Sequence, residues 1–138
     1  MSTRCAIVFE GADGRYPVAV YKHSDGYPDG QQWLAQFAKA FHEGRGDDPE
    51  YAVAQCAAQI VLEHAEARKT WGHVKPEDYG KREYLGVGVF ALAGREPDGI
   101  HGDLDYVWKI DLLKGAVYWR RASKRVWTRL LLKEAVHA

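Results

Sequence analysis

Residues Tyr21 to Leu34 read YKHSDGYPDGQQWL, and three of them, His23, Asp25 and Asp29, have the chemistry for a hard-cation site or for acid–base work. A carboxylate two positions from a histidine can orient the imidazole when both face the same way at a strand end. A second carboxylate close by adds oxygen ligands. On this reading the chain is a small metal-dependent hydrolase centred on His23, Asp25 and Asp29. The same stretch has a plainer reading. Asp25-Gly26 makes a tight turn, and Pro28 holds Tyr27 extended. Asp29 stands three residues before Gln32, the spacing of a capping box that opens a helix. The turn and the cap leave His23, Asp25 and Tyr27 unexplained. These three side chains brace the joint, or they face outward and meet a partner.

No other residues offer a stronger catalytic set. His64 falls on the apolar stripe of a helix, where a core histidine is expected. His42, His73 and His101 lie at element ends or in loops, without HxxxH or HxH spacing. No CxxC pair suggests zinc. The run GVGVFALAG lacks the Lys-Ser/Thr and the following helix of a phosphate loop, and no serine sits in a nucleophile elbow. The acidic group Glu43, Asp47, Asp48 and Glu50 surrounds a helix start, where capping and solvation explain it. A negative patch that meets a basic partner is the other reading. Cys5 and Cys56 are expected to be buried and reduced, one in a strand and one on a helix. The expectation is therefore a protein without catalysis and without a cofactor.

The C-terminal segment carries the clearer binding signal. From Leu112 onward there are seven Lys or Arg and one acid, Glu134. Arg120, Arg121, Lys124 and Arg125 are interleaved with Trp119 and Trp127. Cations contact phosphates and aromatics stack on bases, so nucleic acid is one partner class. Arg, Trp and Tyr also dominate protein interfaces, and an acidic protein surface is the other. Tyr27, Trp119, Arg120, Arg121, Lys124, Arg125 and Trp127 are the expected contact residues. A solvated basic edge that deters strand pairing is the alternative.

These residues need elements to position them. Arg4 to Phe9 alternates as a strand, and Tyr16 to Lys22 follows across the turn at Gly11 to Arg15, giving an antiparallel hairpin. Trp33, Leu34, Phe37 and Phe41 mark a first helix. Asp48, Pro49 and Glu50 start a second, running to about Lys69. Tyr84 to Gly94 is apolar on both faces and is read as a central strand. Tyr106 to Asp111 and Val117 to Arg120 form a hairpin closed at Lys114-Gly115. Ser123 to Val136 suits a short helix, with a further strand through Trp127 as the alternative. The expected fold is α+β: an antiparallel sheet of about five strands with an αα-hairpin on one face, in the order ββααβββ, plus a C-terminal helix.

The chain of 138 residues reads as one domain spanning residues 1–138. Nineteen basic residues balance nineteen acidic ones, which excludes a whole-molecule pull toward nucleic acid or membrane. The first residues lack the pattern of a signal peptide, and no apolar run suffices to span a bilayer, so the cytoplasm is the expected location.

Two motifs together suggest a family. Thr3-Arg4-Cys5 opens the first strand, and Tyr21, His23, Asp25, Gly26, Tyr27, Pro28 and Gly30 precede the first helix. This pairing resembles small, little-characterised proteins of bacteriophages, prophages and archaeal viruses. These begin near Thr-Arg-Cys and carry a Tyr-x-His-x-Asp-Gly-Tyr-Pro-x-Gly signature. Ser24 departs from the aromatic residue common at its position. The resemblance covers about the first 40 residues and supplies no catalytic role. It implies a mobile-element origin and, in the host cytoplasm, a role in binding and blocking a host protein or ribonucleoprotein machine, in the manner of anti-CRISPR proteins.

Overall fold

Alternating apolar residues at Cys5, Ile7 and Phe9 and at Ala6 and Val8 make the first strand buried on both faces, so cover is needed on each side. The computed structural model describes residues 3–11, 18–23, 26, 28–68, 76–78 and 86–131, without the side chains of residues 29, 30, 64–68 and 78. It has six strands, β1 (Cys5–Glu10), β2 (Val18–Lys22), β3 (Val87–Ala91), β4 (Tyr106–Asp111), β5 (Ala116–Arg121) and β6 (Thr128–Leu130). Two helices, α1 (Trp33–Gly44) and α2 (Pro49–Arg68), lie between β2 and β3. The sheet order is β3-β2-β1-β4-β5-β6. Each half is an antiparallel meander, and β1 joins them by pairing in parallel with β4, from Cys5 opposite Tyr106 to Glu10 opposite Asp111.

One face carries the helices. Cys5, Ile7 and Phe9 pack with Trp108 and Ile110 against Leu34, Ala38 and Phe41 of α1 and Val53, Cys56 and Ile60 of α2. Full burial of a side chain of this size is worth about 1.5–3 kcal/mol. Among the described residues the rear face carries no α-helix. After β3 the chain must pass β2 and β1 to reach β4, and residues 92–105 make that crossing over the rear of the sheet. Leu92 packs on Val8 and Ala19, and Leu104 packs with Ala6 and Val107.

Local chemistry sets the joints as the sequence suggests. Asp48 accepts from the Tyr51 N–H at 3.4 Å at the start of α2, and Gly46 ends α1 with φ near +80°. The Asp111 carboxylate accepts from the N–H groups of Leu113 and Lys114 at 3.0 and 3.2 Å and closes the β4–β5 turn, where Gly115 has φ +64°.

Four expectations need correction. The sheet has six strands rather than about five, and it is mixed rather than antiparallel. Hairpins are local and legible, whereas the β1–β4 pairing joins residues about a hundred positions apart. The strand read as central, β3, is an edge strand. It is apolar on both faces because Val87 joins the helix-side core while Phe90 packs under the rear crossing. The C-terminal helix gives way to β6 over 128–130. An open β5 edge satisfies backbone groups that a short isolated helix holds only marginally; residues 132–138 lie outside the described residues. A 3-10 turn, Pro28–Gln31, runs straight into α1; the Asp29 side chain of the expected capping box lies outside the described residues. Gln32 is itself helical (φ −58°, ψ −30°), as the third residue of a capping box is.

Candidate functional site

The two halves of the N-terminal signature meet at one place. The Gly26 N–H donates to the Thr3 carbonyl at 2.9 Å. The indole N–H of buried Trp108 donates to the Gly26 carbonyl, also at 2.9 Å. A Cβ at Gly26 would stand 2.7 Å from the Cys5 Cβ and 3.0 Å from the Thr3 oxygen, so only glycine fits. Beside it, Arg4 Nε donates to His23 Nδ1 at 3.3 Å and lies 3.5 Å from Asp103. The Tyr21 hydroxyl stands 3.3 Å from both His23 Nδ1 and Asp103 Oδ2. The Arg4 N–H donates to Asp105 at 2.9 Å, and His101 sits between Tyr21, tilted at 4.9 Å, and Phe90, edge-on at 4.5 Å. His23 therefore braces the junction of β1, β2 and the rear crossing.

Asp25 and Tyr27 lie outside the described residues, as does the side chain of Asp29, so the expected metal trio is described only at His23. Among the described residues no group of three His, Cys, Asp or Glu gathers to hold a metal ion. Both cysteines are free and buried. Burial pushes the Cys5 thiol up to about 12, with the Lys22 charge pulling the other way, and burial likewise raises Cys56. Neither is a thiolate near neutral pH.

The C-terminal contact residues separate into distinct environments. Arg120 is not a surface residue. Its side chain is 2% exposed, and its guanidinium donates to Asp98 Oδ1 at 2.8 Å and to the carbonyls of Ala122 and Lys124 at 3.1 Å each. Glu96 adds a second carboxylate at 3.4 Å. The reason is register: Arg120 lies opposite Val107 on the rear face, which the 92–105 crossing covers. Trp127 lies half-buried on the same face, with Lys109 4.5 Å and Arg120 5.1 Å from its ring. The interleaving of cations and aromatics is here an internal stack. Trp119 sits on the helix side, half-buried against Trp108 and Tyr106. Arg121, Lys124 and Arg125 are exposed. Arg121 lies 5.6 Å over the Tyr106 ring, and Arg125, 67% exposed, reaches Asp98 Oδ2 at 2.9 Å.

Asp98 is the residue that sequence reasoning missed. It lies in a stretch legible only as a turn-rich loop, 22 positions from its partner. Burial alone raises its carboxyl, but hydrogen bonds from Arg125 and Arg120 outweigh that and bring it to about 2 from an ordinary 3.8.

The architecture so defined is a mixed α+β sheet with helices on one face and a loop layer on the other. No family model, curated protein or solved structure matches the chain.

Proposed function

We propose that this protein is a non-catalytic binding protein of phage or prophage type that occludes a host macromolecular machine, with CRISPR–Cas complexes as the concrete case. The observation that supports this reading is the exposed strip that follows β5. Exposed Arg121, Lys124 and Arg125 precede Val126, which is 77% exposed, within six residues of chain. An exposed apolar residue in a basic stretch suits an acidic protein surface, where charge steers approach and the apolar anchor loses water on contact. The pairing of Thr3-Arg4-Cys5 with the Tyr21 to Gly30 signature supports the mobile-element setting.

The test is a panel of purified CRISPR–Cas complexes assayed for target cleavage with and without the protein. Inhibition of one complex is expected. It is expected to be lost in the combined variant Arg121→Glu, Lys124→Glu, Val126→Asp, whose melting temperature stays within a few degrees of the parent. Full inhibition by that variant would remove the strip from the interface. Failure to inhibit any complex would count against the anti-CRISPR role. Retention of a DNA duplex at low salt, weakening steeply as salt rises, would favour the nucleic-acid reading of the basic tail.

A further inference from the structure

The two edges of the sheet, β3 and β6, are built differently. β6 is three residues long, Thr128–Leu130, and carries Arg129. A short edge with a cation on it discourages pairing with another chain. β3 is five residues long, Val87–Ala91, and reads VGVFA, with no charge and no proline. It lacks the side chains by which an edge is usually blocked. Among the described residues its only strand neighbour is β2. Val89 is 55% exposed, and Ala91, two residues on along the same face, is exposed too.

The ladder fixes which backbone groups of β3 point away from the sheet. The His23 N–H donates to the Gly86 carbonyl at 2.8 Å, and the register continues with Tyr21 opposite Gly88 and Ala19 opposite Phe90. Hydrogen-bonded pairs alternate along an antiparallel ladder. Gly86, Gly88 and Phe90 therefore bond toward β2, while Val87, Val89 and Ala91 turn their N–H and C=O groups outward. These three residues are spaced symmetrically about Val89. A second β3, running antiparallel about a two-fold axis at Val89, meets them in register. Val89 then stands opposite Val89 of the other copy, and Val87 opposite its Ala91. Such a contact is self-complementary, as a two-fold interface must be. It makes about six hydrogen bonds, sets valine on valine and opposes no like charges. With a formal net charge of +0, two copies approach without long-range repulsion. A strand from a different protein has no such built-in match to this spacing.

We propose that β3 is the contact between two copies of this chain, joined edge to edge as an antiparallel pair centred on Val89. One short strand buries less than the roughly 800 Å² per partner of a standard interface, so the dimer is reversible, with a dissociation constant above about 1 μM. The contact shares no residue with the strip around Val126, so each can fail alone. The experiment is sedimentation equilibrium of the whole protein from about 10 μM to about 1 mM. A monomer–dimer equilibrium is expected. Val89→Lys and Val89→Glu each set like charges opposite one another across the axis. Each is expected to weaken dimerisation at least about tenfold while melting, when dilute, within a few degrees of the parent. An equimolar mixture of the two variants sets lysine opposite glutamate, and its dimerisation is expected to return to within about threefold of the parent. Monomer alone at the highest concentration overturns the proposal. So does parental dimerisation by both variants, or a mixture that dimerises no better than either variant alone.

Discussion

Arg120 and Arg129 are both cations of the basic C-terminal segment, on paired neighbouring strands, and the molecule treats them in opposite ways. Arg120 is sealed behind Asp98, Glu96 and two carbonyls on the rear face. Arg129, opposite Tyr118 on the edge strand β6, is exposed and has no carboxylate partner among the described residues. The difference teaches that a basic run is not one surface. A guanidinium taken out of water costs several kcal/mol unless its donors are matched, and the rear knot matches them from two segments, 96–98 and 121–124. Where no acid approaches, the same group type stays exposed and keeps its hydration.

The comparison breaks first at Arg120. Arg120→Met removes the charge that satisfies Asp98 and two carbonyls, and the expected loss is about 3 kcal/mol, read by urea unfolding. A midpoint unchanged from the parent would mean that the knot does not hold the rear layer. Gly26→Ala tests the other tight junction. Its Cβ has no room between Cys5 and Thr3, and overpacking of this kind costs about 1–3 kcal/mol, seen as a lower melting temperature. Full retention of stability there would show that the 3–26 joint relaxes freely.

Acid then separates the two regions. The Asp98 carboxyl is lowered in the folded state to about 2 from 3.8. Its stabilisation is therefore complete above the ordinary value and lost as pH falls from about 4 toward 2. After screening at the partly wet rim it amounts to about 1 kcal/mol. In Asp98→Asn that component of the acid limb should vanish, and an acid-unfolding curve of parental slope would contradict the assignment. The smallest effect is expected at the exposed cations. Lys39→Gln, Lys114→Gln and Arg129→Gln should each leave unfolding within about 0.5 kcal/mol of the parent. A loss several times larger in any of them would show that its charge is engaged in the fold, as Arg120 is.

How much of the molecule is legible in its sequence depends on the range of the interaction. The start of α2 follows from Asp48, Pro49 and Glu50, and the β4–β5 hairpin from alternation closed at Gly115. The bracing role of His23 is one of two readings, and no signal links it to its partner Arg4, 19 positions away. The mixed basic and aromatic residues at 118–127 are visible, yet their pattern does not separate an outward face from an internal stack. Alternation says that Arg120 and Arg121 face opposite sides; it does not say which side another segment covers.

The sequence by itself determined the elements: strand periods of two, helix stripes, glycine turns and the Asp48 cap, all set by forces acting within a few residues. Only the tertiary structure decided which cations are matched and which are left exposed. The parallel β1–β4 pairing sends residues 92–105 across the rear face, and that crossing carries Asp98 to Arg120. Charge pairing falls off over a few ångströms in space and is blind to separation along the chain, so no local pattern records it.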